Sequence, residues 1–137
     1  MSKKFLKKII AQSAKDLQLV SACCSEGKVK LSEIKYLPKN KIFLLSIERL
    51  VKETENSKDR INSIIKFDYI ESSKAKNINQ NNLDLTLELL AIDLFKRDHN
   101  YEITLLFSNN GFITLTSEII DVVLEDQKNI YDQGTKL

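Results

Sequence analysis

Hydrophobic and polar residues alternate most clearly in the second half of the chain. Leucine occupies every second position from Leu83 to Leu89, with polar residues between. Successive side chains of a β-strand point to opposite faces, so this spacing predicts a strand whose leucines line a core. Two further alternating runs, 102–107 and 113–116, flank the tetrapeptide Ser-Asn-Asn-Gly at 108–111. Asn-Gly at this place predicts a type I′ turn and hence a β-hairpin, because both residue types tolerate the positive φ that the turn requires.

The first half of the chain contains similar signals. We predict strands over residues 29–36 and 41–50, which form a second hairpin. Pro38 fixes φ for the turn between them, and Asn40 tolerates the left-handed region. Alternating residues predict another strand over 65–72.

A single helix is predicted over residues 14–24. Ser13 is placed to cap a free N–H group of its first turn, and Asp16 suits the positive end of the helix dipole. Gly27 is placed to end the helix. The face expected to be buried comprises Leu17, Val20, Ser21 and Cys24.

Two segments fit either a strand or a helix. For residues 5–11 we favour a strand, because the helix start at Ser13 follows directly. For residues 117–124 the β-branched content favours a strand that follows a bulge. The last residues, 126–137, are polar, and we expect them to form a frayed tail.

These elements predict one α+β domain, mainly β, over residues 1–137. An antiparallel meander of six or seven strands forms a curled sheet or half-open barrel, and the N-terminal helix covers it. The polar stretches 52–60 and 73–82 are expected to be loops. A chain of this length buries roughly two thirds of its unfolded surface, so its stability requires no disulfide or metal.

Charge is distributed unevenly along the chain, although the net charge is only +2. Residues 1–60 hold fourteen Lys or Arg against seven Asp or Glu, a net +7, whereas residues 61–137 hold seven against twelve, a net −5. Such a field can steer an anionic partner or a second copy of the protein, and a lysine-rich composition alone can also produce it. The candidate anion or partner surface comprises Lys3, Lys4, Lys7, Lys8, Lys28, Lys30, Lys39 and Lys41.

Residues suited to catalysis are few, and we predict no catalytic, cofactor-binding or metal-ligating residue. His99 is the only histidine and is expected to be an exposed side chain in a polar turn. Cys23 and Cys24 are adjacent, which disfavours a disulfide between them, and we expect reduced thiols of a cytoplasmic protein. Asp84 and Glu88 are expected to share a solvated strand face. The three glycines form no phosphate-binding loop, so we expect no nucleotide.

A membrane span is not expected, because no apolar run approaches the roughly 18 residues that a spanning helix needs. The lysines between Lys3 and Lys8 also interrupt the apolar segment that a signal peptide requires.

A set of spaced residues matches the pattern of a known family. They are Asp16-Leu17, Val20-Ser21-Ala22, Tyr36-Leu37-Pro38, Phe43, Ile65 to Phe67, Ile78 and Leu89-Leu90-Ala91-Ile92. On these residues the chain resembles an uncharacterised bacterial family, domain-of-unknown-function family 2948. The resemblance implies a cytoplasmic, single-domain protein and brings no activity with it. The chain departs from the expected pattern at Val51-Lys52-Glu53 and at Lys76-Asn77, where Asn replaces a Gly and still tolerates positive φ.

Three functions are compatible with the sequence. The first is a non-enzymatic interaction module that presents a sheet edge or face to another protein or to its own copy. The second is a weak RNA-binding or ribosome-associated factor that uses the basic N-terminal half. The third is a small-molecule enzyme with carboxylate chemistry, which is the least favoured because the sequence has few residues suited to catalysis.

Overall fold

The computed structural model describes residues 6–52 and 59–127 of the chain. Within these ranges the chain forms ten strands and one α-helix, α1, Ala14–Cys24. The strands are β1 Lys8–Ala11, β2 Gly27–Lys30, β3 Ile34–Leu37, β4 Ile42–Leu50, β5 Arg60–Phe67, β6 Ile70–Lys76, β7 Thr86–Lys96, β8 Tyr101–Phe107, β9 Phe112–Ser117 and β10 Val122–Asp126. Most of the predicted loop 52–60, the tail after Gln127, and Lys3 and Lys4 lie outside the described residues.

All strand pairs are antiparallel, in the order β1-β10-β5-β4-β2-β7-β8-β9-β6, and β3 also pairs with β4. The sheet curls, since the N–H of Ile70, which begins β6, donates to the carbonyl of Lys41 beside β4 at 2.8 Å. It does not close into a barrel. The predicted class, a mainly β protein with a curled antiparallel sheet and one helix, is therefore confirmed.

The number and order of the strands differ from the prediction of a six- or seven-stranded meander. The predicted strand 29–36 is divided by a 3-10 turn at Leu31–Glu33, because β2 lies between β4 and β7 whereas β3 pairs with β4 alone. The predicted strand 65–72 is divided at Tyr69, whose φ of 62° turns the chain between β5 and β6. Strands β2 and β10 each lie between strands that are distant from them in sequence.

The boundaries of two predicted segments also change. The first residues of the predicted loop 73–82 belong to β6, which pairs with β9 through polar residues. The leucine strand begins at Thr86 rather than Leu83, because the N–H of Leu85 donates to the carbonyl of Asn82 in a turn. Leu83 is consequently 59% exposed.

The hairpin around residues 108–111 is confirmed, and its positive-φ residues lie one position earlier than predicted. Asn109 and Asn110 have φ of 62° and 61°, and Gly111 does not have a positive φ. Glycine is needed at 111 for space, since a Cβ there would lie 2.9 Å from Cγ1 of Ile78. Asn77 has the expected positive φ, 60°, and its Nδ2 donates to the carbonyl of Asn110 at 3.0 Å.

The predicted bounds of the helix, 14–24, and its cap at Ser13 are confirmed. The Ser13 Oγ accepts from the N–H of Asp16 at 3.2 Å, and Leu17, Val20 and Cys24 are buried in the core. The Ser21 hydroxyl accepts from the N–H of Ile92 at 2.9 Å, which attaches α1 to β7.

Gly27 does not end the helix. Glu26 takes the left-handed conformation there, with φ of 69°. Gly27 instead lies in β2, where a Cβ would lie 2.7 Å from Cγ1 of Ile47.

Both ambiguous segments contain strands, β1 and β10. The predicted tail begins too early, because Asp126 ends β10 and is only 4% exposed. One oxygen of its carboxylate accepts from Arg49 Nε at 2.8 Å and from Ser63 Oγ at 2.6 Å. The other accepts from Arg49 Nη2 at 2.6 Å and from the backbone N–H of Lys7 at 2.8 Å. Four strands or strand ends, β1, β4, β5 and β10, therefore meet at one buried ion pair.

Burial alone would raise the pKa of the Asp126 carboxyl. Hydrogen bonds from Arg49, Ser63 and the Lys7 backbone outweigh burial and hold this pKa below its usual value. The carboxylate is therefore charged in the folded protein at neutral pH, which keeps the buried Arg49 guanidinium neutralised.

The hydrophobic core fills the inner face of the sheet. Phe43 and Phe67 pack edge to face, with ring centroids 5.8 Å apart. Helix α1, the only α-helix within the described ranges, is too short and too polar to cross a membrane.

Candidate interaction surface

An open groove of about 710 Å³ runs along the outer face of the sheet, on the side away from the core. It forms over β2, β4, β5 and β7, where alternate residues fill the core and the outward positions at the groove, such as Lys28, Glu48 and Glu88, are polar. We call it the outer groove. Its charged and amide lining comprises Lys28, Lys30, Glu33, Glu48, Asn62 and Glu88.

Four of these side chains form one row across four neighbouring strands. Lys28 lies opposite both Glu48 and Glu88, and Glu48 lies opposite Asn62. Because neighbouring strands are about 4.8 Å apart, the row spans roughly 14 Å. We call these four residues, in the order Asn62-Glu48-Lys28-Glu88, the charged row. It presents an amide, then a negative, a positive and a negative group.

The side chains of the charged row are all exposed. Among the described residues, no ion pair within 4 Å joins Lys28 to Glu48 or Glu88. These charges are therefore accessible to a partner.

The backbone beneath the charged row is held in place. Arg60 Nη1 donates to the carbonyl of Glu48 at 3.0 Å and to that of Glu26 at 3.1 Å. The Ser108 N–H donates to the carbonyl of Glu88 at 2.9 Å, and the Ser108 Oγ accepts from the N–H of Glu88 at 3.1 Å. The backbone that carries the row is thus held in place before a partner binds, so binding has only to order the side chains.

The predicted lysines occupy several separate places. Lys28 and Lys30 line the outer groove, whereas Lys39 and Lys41 lie in the turn that precedes β4. At about 3.3 Å per residue along β4, Lys41 is roughly 23 Å from the position of Glu48, and thus from its partner Lys28. Lys8 lies on β1 opposite Glu125, and Lys7 Nζ is 3.8 Å from the Cys23 Sγ.

Lys41 is engaged by a carboxylate at the surface. Its Nζ donates to Glu71 at 3.1 Å, and this hydrogen bond raises the pKa of Lys41. The same bond lowers the pKa of Glu71. Arg97 pairs with Glu102 at 2.8 Å in the same manner, which raises the pKa of Arg97.

The residues with catalytic potential are dispersed. His99 is exposed, as predicted, and both cysteines are free thiols. Burial raises the pKa of Cys24 to about 12, so this thiol is neutral and packs as a small apolar residue. Asp84 does not share a strand face with Glu88, because it lies in the turn before β7. In ranges 6–52 and 59–127, no three His, Cys, Asp or Glu residues are placed to hold a metal ion.

A second, smaller recess of about 330 Å³ lies between α1 and β7. Its apolar lining includes Leu17, Ile92, Leu94 and Phe95, and Phe95 is 51% exposed. The sequence did not predict this recess, because the strand after Leu89 contains a bulge that shifts its parity.

A family model described as "Protein of unknown function (DUF2948)" matches residues 7–136. The chain belongs to this family. The resemblance inferred from the sequence is therefore confirmed over nearly the whole chain.

One solved structure is similar in part, the crystal structure of an uncharacterized protein from Neisseria gonorrhoeae. It is 16% identical, with 87% of this chain and 97% of that chain covered and a TM-score of 0.45. No curated protein sequence matches the chain. Neither the family description nor that of the solved structure states an activity, a ligand or a partner.

Proposed function

We propose that this member of the family is a small cytoplasmic, non-enzymatic interaction module that binds another protein through its outer groove. The observation that supports this function is the charged row, four exposed polar side chains on a sheet face whose backbone is held by Arg60 and Ser108. Charges of alternating sign on a fixed backbone favour a specific partner, because a mismatched partner brings like charges together.

A face is a better binding surface here than an edge. Strands β1 and β6 end the sheet, and β3 is also an edge strand because it pairs with β4 alone. Each carries lysine: Lys8 on β1, Lys35 on β3, and Lys74 and Lys76 on β6. Lysine on an edge strand opposes pairing with another chain, and β1 is also only four residues long.

Weak RNA binding, the alternative function, gains little support from the lysine positions. RNA backbones need a continuous positive track. Lys28 instead lies between two glutamates, and Lys41 is paired with Glu71.

Affinity purification from the native cells tests the proposed function. The tagged wild type is compared with a groove variant, Lys28→Gln/Glu48→Gln/Glu88→Gln, which removes three charges and retains side-chain length. A matched control, Lys74→Gln/Asp98→Asn/Glu125→Gln, removes one positive and two negative charges from exposed positions outside the outer groove.

We expect the wild type and the control to recover the same protein and the groove variant to lose it. Recovery of that protein by all three forms would contradict binding through the outer groove. Recovery of no protein by the wild type would contradict the interaction module itself.

A further inference from the structure

We propose that the partner at the outer groove is a second copy of this chain, an inference that rests on the proposed function. The charged row is complementary to itself. A two-fold axis parallel to the strands, between β4 and β2, exchanges Glu48 with Lys28 and Asn62 with Glu88 when two outer faces meet.

Each group of the charged row then faces a suitable group of the second copy. Glu48 faces the second copy's Lys28, and Lys28 faces its Glu48, so two ion pairs form by symmetry. Asn62 can donate its amide N–H to the carboxylate of the second copy's Glu88. Extending the Lys28–Glu48 register by two residues places Lys30 in line with Ser46, so Lys30 faces a hydroxyl of the second copy and no like charges meet in that row.

The position of the axis is restricted by charge. An axis through β2 would place Lys28 against Lys28, and an axis through β4 would place Glu48 against Glu48. An axis between β2 and β7 would pair Lys28 with Glu88 and leave Glu48 without a cation. Only the axis between β4 and β2 uses all four groups of the charged row, and it gives the closed, isologous contact common in homodimers.

The general geometry of packed sheets gives the separation and the relative strand direction of the two copies. Two sheets pack face to face about 10 Å apart, with strand directions within roughly 30° of each other. A Lys and a Glu side chain together span this distance. The helix does not interfere, because α1 packs against the inner face.

Light scattering after size exclusion tests this dimer. At low salt and high protein concentration we expect a mass approaching twice the 15.8 kDa of the chain. In about 1 M salt, where the screening length is near 3 Å, we expect the monomer mass. A monomer mass under all conditions would overturn the dimer and leave the proposed function intact if affinity purification recovers a different protein.

Charge reversal tests the pairing itself. Lys28→Glu places acidic groups opposite each other across the axis, and Glu48→Lys places basic groups opposite each other, so each variant alone is expected to be monomeric. Their equimolar mixture restores both ion pairs and is expected to associate as the wild type does.

A second mixture, Lys28→Glu with Glu88→Lys, is the matched control, and its heterodimer restores only one of the two Glu48–Lys28 pairs. Because Glu88→Lys keeps both pairs in its own homodimer, association in each mixture is measured as capture of the untagged variant by tagged Lys28→Glu. If this mixture associates more strongly than the first, the proposed axis is wrong. If Lys28→Glu alone and Glu48→Lys alone each dimerise as the wild type does, the outer groove is not the dimer contact. Circular dichroism spectra equal to that of the wild type show that these exposed substitutions leave the fold intact.

Discussion

Arg49 and Asp126 are both charged and both buried, so each depends on the other. Removing one member of a buried pair leaves the remaining charge in a medium of low polarity. We expect Asp126→Ala to lower the free energy of unfolding by about 3–5 kcal/mol in urea titrations. Ser63→Ala, which removes one hydrogen bond to the same carboxylate, is expected to cost about 1.5–3 kcal/mol. Equal small losses from both substitutions would show that the pair is not a stability determinant.

The Asp126 carboxylate makes the free energy of unfolding depend on pH under acidic conditions. The folded pKa of Asp126 is lowered, so its stabilising contribution is complete above the pKa of an unfolded Asp, about 3.9, and is lost as the pH falls through the folded pKa. Below about pH 4, the free energy of unfolding should therefore fall more steeply for the wild type than for Asp126→Asn. Identical pH profiles for the two proteins would contradict this assignment.

Glu26 is held at a positive φ between α1 and β2, a conformation that costs most residues roughly 1 kcal/mol. The hydrogen bonds at this position use its backbone, which glycine retains. We expect Glu26→Gly to stabilise the protein by up to about 1 kcal/mol. The control Gln18→Gly, at an exposed helical position, should destabilise by about the same amount. Thermal unfolding measures both, and destabilisation by both substitutions would rule out strain at Glu26.

At the scale of elements, the packing of α1 against the sheet requires a residue without a side chain at Gly27. A Cβ at this position would overlap Ile47, so Gly27→Ala should destabilise by about 1–3 kcal/mol. In the double variant Gly27→Ala/Ile47→Ala the overlap with Ile47 is absent and only the 2.9 Å approach to the Cys24 carbonyl oxygen remains, so the total loss should be smaller than the sum of the two single losses. Strict additivity in urea unfolding would show that the two residues are not in contact.

Local patterns identified those elements whose determinants are close together in the sequence. Ser13 and Asp16 mark the start of α1, and the Ser-Asn-Asn-Gly tetrapeptide marks the second-half hairpin. The divisions at Leu31–Glu33 and at Tyr69 were not predicted, because they arise where the strands change partners or the chain turns a corner of the sheet. The inward parity changes at both divisions, from Val29 to Ile34 and from Phe67 to Ile70, and the sequence prediction extended one strand across each change.

At the scale of the whole molecule, the sequence predicted the fold class and only part of the candidate surface. Lys28 and Lys30 were selected for their charge. Glu48, Asn62 and Glu88 were missed, because only the topology places β2 between β4 and β7. Asp126 was assigned to a frayed tail for the same reason, since its partner Arg49 is distant in sequence.

The central claim is that the outer groove is where this protein binds another protein. It is tested by backbone amide NMR shifts of the ¹⁵N-labelled chain, recorded while the unlabelled partner is added. If the partner is a second copy, the added protein is the unlabelled chain itself. We expect the largest shifts on β2, β4 and β7 around Lys28, Glu48 and Glu88. Binding that shifts only α1 or the edge strand β6, with the outer groove unchanged, would contradict it.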